Sequence, residues 1–226
     1  ATEEIYNYLG YQVGELAHYF IPNNTLKSHK IAKFNNDNLY NSYAHELSVN
    51  YICREITIKE LKHFFKFEKF LKNKPVKDFE YFKKRFFEHP IYNYEVYGVF
   101  EGVEILSILV IRISKYTSSS CLRIVDFYGL EETIVTHTVN LCNKMHLKGY
   151  EYIDFLTFGL SDRILKKAGF KLLDHSQKEV IVPNFFEPFL QKNVKIRFFS
   201  NFKRLKDLRI YKADGDQDRP PTMKVS

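Results

Sequence analysis

The sequence predicts an α/β protein in which a mixed central sheet is flanked by helices. Three observations predict it. Segments with a two-residue apolar repeat alternate with segments of 3.6-residue repeat along the chain. The apolar run Ile105–Ile113 is bounded like a buried strand, well short of the roughly 18 residues of a membrane span. Hydrophobic residues make up 45% of 226 residues, enough to build a core without disulfide staples.

Taken in order, Tyr11–Ile21 reads as a strand closed by Pro22-Asn-Asn, and Asn35–Asn38 as a loop. Thr57-Ile-Lys-Glu60 is a capping box, so a helix is expected over Glu60–Leu71, interrupted by Pro75. A second helix is expected over Phe79–Phe87, ended by His89-Pro90. Tyr92–Phe100 alternates, turns at Glu101-Gly102 and continues through Val103–Ser114. After a loop at Thr117–Ser120, Cys121–Tyr128 is a strand broken by Gly129. Glu131–Leu147 is an amphipathic helix with a Lys148-Gly149 stop. Tyr152–Phe158 is a strand, and Ser161 caps a short helix over Asp162–Ala168 stopped by Gly169. Phe170–Leu173, Val180–Val182 and Val194–Phe199 complete the expected strands. Three units follow from this order: an N-terminal sheet extension over residues 1–55, which could be the remnant of a preceding half-domain; a main domain over 56–212; and a polar tail over 213–226 with almost nothing to bury.

Net charge is +7 and the sequence pI about 9.1, which favours anionic partners. The basic residues are spread along the chain, so phosphates on a small ligand fit as well as nucleic acid. The 21 Phe and 16 Tyr without any Trp read either as nucleotide bias of the genome or as stacking surface. Cys53, Cys121 and Cys142 have no paired spacing, so a reducing, cytoplasmic setting is expected. No two His stand at i,i+4, and no metal site is expected. No leader opens the chain, and its first residue is Ala rather than Met, which leaves room for a preceding portion.

The element order, together with Ile164-Leu-Lys-Lys-Ala-Gly-Phe170, resembles the GNAT acyl-CoA N-acyltransferase fold from Ile56 to near Phe202. Arg123-Ile-Val-Asp-Phe-Tyr-Gly129 and Tyr211-Lys-Ala-Asp-Gly-Asp-Gln-Asp-Arg-Pro220 resemble a branch associated with bacterial surface polysaccharides. The resemblance implies an acyltransferase with acetyl-CoA, or another acyl-CoA, as donor and an amino sugar or nucleotide-linked sugar as acceptor. It also implies a gap beyond Gly129 between two parallel strands, wide enough for a thioester donor. Two features depart from the family. The phosphate-binding loop is reduced to Tyr128-Gly129-Leu130-Glu131-Glu132, and Leu165 stands where many members carry a Tyr.

Within that reading Asp126 orients or deprotonates the acceptor, or else is a carboxylate satisfied by backbone or by Arg123. Tyr128 assists it as proton donor, or is a core aromatic. The amides near Gly129 and Leu130 meet the cofactor pyrophosphate, with Asp154 lining the cleft or satisfied at an edge. His137, Asp214, Asp216 and Arg219 are candidate acceptor contacts, with His18 a weaker one. Asp214, Asp216 and Asp218 suggest a calcium loop, but no Glu follows. Two other readings stay open: aminoacyl transfer from charged tRNA on the same fold, and a non-catalytic module that binds a saccharide or a partner.

Overall fold

The computed structural model describes residues 2–35, 51–202 and 204–215. Its main sheet has nine strands: β1 (Gln12–Pro22), β2 (Ile52–Glu55), β3 (Tyr94–Glu101), β4 (Glu104–Tyr116), β5 (Ser119–Gly129), β6 (Tyr152–Phe158), β7 (Lys171–Leu172), β8 (Ile196–Ser200) and β9 (Ile210–Tyr211). The strand order is β8-β1-β6-β5-β4-β3-β2, with β7 paired to β1 and β9 to β6. All pairings are antiparallel except β5 with β6. The expected mixed α/β architecture is therefore present. The N-terminal strand β1 joins the sheet in its interior, between β6 and β8, rather than at an edge.

Helix α1 (Thr2–Tyr8) precedes β1, and the other helices cover both faces because the strands alternate. On β5, Leu122 and Ile124 turn to one side and pack with Ile153 and Phe155 of β6 beneath α4 (Ile134–Lys148) and α5 (Asp162–Lys167). α4 ends as its sequence predicts: Gly149 takes φ 68° and its N–H returns to the last turn. Gly169, φ 91°, ends α5 the same way and returns Phe170 to the core. Ser161 stands at the start of α5 but its side chain makes no cap; its backbone N–H donates to Glu131 instead.

The opposite face is covered by α2 (Ile58–Phe64) and α3 (Phe79–Phe82), packed on Val96, Ile108, Val110 and Val125. Thr57 and Glu60 form the expected capping box. The helix expected to reach Leu71 stops at Phe65, which turns extended and bridges Ile105; a separate 3₁₀ turn follows over Phe67–Phe70. A continuous helix would send Phe65 and Phe67 to opposite sides. The break instead gathers Phe65, Phe67 and Phe70 around Tyr128, with ring centroids 5.8–6.2 Å away. α3 likewise widens after Phe82 into a π turn over Lys83–Phe87. Beside this layer, Leu173, Val180 and Val182 pack on Phe20, Cys121 and Tyr152. Among the described residues no helix is long and apolar enough to cross a membrane.

Candidate active site

Strands β5 and β6 pair in parallel over three residues only, Leu122–Ile124 against Ile153–Phe155. A bulge sits just beyond. Val110 of β4 faces Asp126 while Ile111 faces Ile124, so Val125 is the extra residue. A bulge bends its strand, and β5 leaves β6 at this point. The expected parting of the strands is there, but it does not stand open for a donor. The chain's own C-terminal segment lies in it. β9 pairs with Thr157 and Phe158 at the end of β6, and Tyr211 stacks on Phe155 with centroids 5.7 Å apart. Tyr211, Lys212 and Ala213 are all buried. The chain leading into the polar tail, with the tail's first residue Ala213, thus lies inside the protein, because Tyr211 and Lys212 carry enough aromatic and aliphatic surface to fill a gap between strands.

The turn also carries Asp214, which accepts the Tyr211 N–H at 2.9 Å. Its other oxygen meets the ammonium of Lys77 at 2.9 Å, and the same ammonium lies 2.6 Å from Asp126. Lys77 is buried and sits over the rings of Tyr211 and Tyr81, 4.9 and 5.2 Å from their centroids. Asp126 further accepts from the Tyr81 hydroxyl at 2.9 Å and the Phe127 N–H at 2.8 Å. The loop bearing Lys77 is tied to the segment before β9 by backbone bonds between Lys74 and residues Asp207 and Arg209.

Burial and the nearby Asp214 charge push the Asp126 carboxyl up to about 6, against the opposing pull of Lys77. For Lys77 burial acts downward, but the two carboxylates outweigh it and the net shift is upward. The cluster is a carboxylate–ammonium–carboxylate chain with one member poised near neutrality. Asp214 and Lys212 line a groove of about 750 Å³ that is walled by Tyr6, Tyr11, Phe199 and Tyr211.

The structure therefore brings together two residues predicted separately, Asp126 and Asp214, through a third that sequence reasoning missed. Lys77 is a single lysine between Val76 and Asp78, with no pattern to set it apart from a solvated one. Asp216, Asp218 and Arg219 lie outside the described residues.

The other candidates sit elsewhere. Tyr128 is a core aromatic: its hydroxyl donates to the Phe70 carbonyl at 3.1 Å, away from Asp126. His137 is fully buried in α4, its ring nitrogens against Ser107 Oγ at 2.9 Å and Cys53 Sγ at 3.5 Å. Burial lowers it to about 3, so it is a neutral core histidine and no acceptor contact. Asp154 faces protein on both oxygens. Arg123 donates to it at 2.7 and 3.1 Å and His18 lies at 3.1 Å, so it meets an ion-pair network rather than a cofactor.

The Gly129–Leu130 stretch does not fit a cofactor pyrophosphate either. The Leu130 N–H already donates to the Leu106 carbonyl at 3.1 Å. Gly129 lies so close to β4 that an added Cβ would stand 2.5 Å from Ser107 Cα. Glu131 beyond it adds negative charge and is held by Arg209 at 2.8 Å. With φ 132° as well, Gly129→Ala is expected to cost more than the roughly 1–3 kcal/mol of a single strained residue, read as a fall in the urea midpoint at unchanged slope.

No family model matches the chain, and no curated protein matches it. Its fold is similar to several solved structures. A functionally unknown conserved protein from Staphylococcus epidermidis is 15% identical, with a TM-score of 0.46 over 76% of this chain and 62% of that one. A GCN5-related N-acetyltransferase from Anabaena variabilis is 11% identical, with a TM-score of 0.49 over 77% and 42%. The N-myristoyltransferase of Saccharomyces cerevisiae with bound myristoyl-CoA is 10% identical, with a TM-score of 0.44 over 71% and 48%. The chain spans less than two thirds of the length of each.

Proposed function

We propose that the chain is an acyltransferase of GNAT type that acylates the amine of a small acceptor, an amino sugar or nucleotide-linked amino sugar, at the point where β5 leaves β6. The observation that carries this reading is the Asp214–Lys77–Asp126 chain at that point, with Asp214 at the edge of the aromatic groove. An acceptor amine arrives as an ammonium and must lose a proton before it attacks. A carboxylate at the groove wall attracts the ammonium and takes that proton. Lys77 couples the charge of Asp214 to Asp126, whose carboxyl near 6 exchanges protons at neutral pH. The aromatic wall built by Tyr11 and by Tyr6 stacked on Phe199 offers apolar surface to a sugar ring. The acyl donor is an acyl-CoA, acetyl-CoA first. Because the Gly129–Leu130 amides are not arranged for its pyrophosphate, the donor would be held by other groups, and no step is derived through it.

A second reading is favoured by that same missing cradle and by the net charge of +7: aminoacyl transfer from charged tRNA. The test is to incubate the chain with acetyl-CoA or longer acyl-CoAs and a panel of amino sugars and nucleotide-linked amino sugars, following thiol release. Charged tRNA replaces the thioester in a parallel arm. Asp214→Asn is expected to lower turnover by about 10²–10⁴-fold, the usual contribution of a general base, with its fold intact by circular dichroism. Absence of acyl transfer from every donor would leave a saccharide- or partner-binding module.

A further inference from the structure

A second cluster lies on β1, apart from the gap. His18 is fully buried, and its Nε2 stands 3.1 Å from Asp154 Oδ2. Arg123 grips both oxygens of Asp154. A permanent carboxylate at Nε2 fixes the proton on that nitrogen. The lone pair of His18 is then left on Nδ1, which has no hydrogen-bond partner among the described residues.

The same cavity, about 600 Å³, is lined by His18, His175, Asp174, Glu15, Ser176 and Lys195. His175 Nδ1 is also buried and without a partner among the described residues. The two rings are 6.4 Å apart, centroid to centroid.

We propose that this cavity binds one borderline divalent cation, represented by Zn²⁺, between His18 Nδ1 and His175. A metal–nitrogen bond of about 2.0–2.1 Å plus a ring half-width of about 1.1 Å places two ligating ring centroids roughly 5.2 Å apart at a tetrahedral angle and about 6.4 Å apart in line. The observed spacing lies at the open end of that range, so a closure of about 1 Å by the turn carrying His175 completes the geometry. Among the described residues no three His, Cys, Asp or Glu side chains already converge on one point. The site is therefore a two-imidazole one, to which water and a carboxylate of Asp174 or Glu15 add. Both carboxylates act on His175 electrostatically. Asp174 is held by Ser176 at 2.7 Å and Glu15 by Lys195 at 3.3 Å, exposed contacts that an ion would displace. Asp154 supplies the outer carboxylate that ligating histidines carry. The ion would pin the 174–176 turn to β1.

The test is titration of the full chain with Zn²⁺ by calorimetry and with Co²⁺ by visible absorption, against Mg²⁺ as control. One Zn²⁺ per chain is expected, with a rise in Tm. His175→Ala is expected to weaken it at least tenfold while leaving the metal-free Tm unchanged, since His175 is a half-buried turn residue. His175→Cys, which keeps a ligand at that position, is expected to retain binding. Absence of saturable one-to-one binding to the unaltered chain, or equal affinity in His175→Ala, would overturn the proposal.

Discussion

Lys77→Met is expected to lower stability at pH 8 by about 3–5 kcal/mol, the usual consequence of removing one partner from a buried ion pair. The ammonium is what allows Asp126 and Asp214, 0 and 8% exposed, to lie in one cluster. Methionine keeps most of the volume and removes the charge, so the loss is electrostatic rather than a cavity effect. The pH dependence follows from Asp126. Its carboxyl stands at about 6 in the folded chain against an ordinary 3.8. The folded state therefore holds that proton when the unfolded state has lost it. Stability falls as pH rises from about 4 to about 6 and then levels off. Without Lys77 the folded value rises further and the falling window extends upward. The variant should thus come close to the unaltered chain near pH 4–5 and fall well below it at pH 8. Urea midpoints at both ends measure this. Adding Asp126→Asn to Lys77→Met should restore some of the loss, a coupling of about 1–3 kcal/mol. A uniform loss at all pH values would show that Lys77 acts by packing alone.

The same cluster marks where sequence reading succeeds and where it stops. β6 was predicted to the residue as Tyr152–Phe158, because a short, mostly apolar run of aromatic and branched residues bounded by Gly149 and Gly159 reads as a buried strand even with Asp154 inside it. The capping box at Thr57 and the left-handed turns at Gly149 and Gly169 were legible because each is a local rule. Asp126 drew notice as a carboxylate inside a strand, and Asp214 as a member of a dense polar run. Their meeting was not legible. Lys77 joins Asp126 across 49 positions of chain, and nothing local distinguishes it. Lys212 is a parallel case, a lysine at the edge of the polar tail that is 2% exposed. Tyr128, read as proton donor or core aromatic, is the latter, and His137 is a core histidine; one cause left both open in the sequence. Periodicity assigns a residue to a face, but what covers that face is decided by tertiary packing. Here the broken helix at Phe65 and the Cys53–His137–Ser107 contacts made that decision.

Arg123→Met is expected to be as damaging at pH 7, and its effect should shrink as the pH falls. Arg123 and Asp154 are register partners in the short parallel ladder that holds β5 to β6, and their side chains repeat that pairing as a two-point ion pair. Arg123 also donates to the Asn184 carbonyl at 2.8 Å and packs on Phe186. Its loss leaves Asp154 buried with His18 as its remaining side-chain partner, again about 3–5 kcal/mol at pH 7. In the unaltered chain the Asp154 carboxyl stands at about 2 against an ordinary 3.8. Its stabilisation is therefore complete above about 4 and disappears as pH falls toward 2. In Arg123→Met, burial works on the carboxyl unopposed by the guanidinium and moves it upward, so acid unfolding no longer draws on this group below pH 4. Arg123→Lys keeps the charge but cannot grip both oxygens, and should fall between the two. The strands separate just past the next register pair, Ile124 with Phe155. If the ion pair anchors the gap, the hydrogen-exchange protection of Ile124 and Phe155 should drop in Arg123→Met together with global stability. Retained protection and a stability loss below about 1 kcal/mol, within the range of exposed pairs, would mean that the apolar contacts on the α4 face hold the ladder without it.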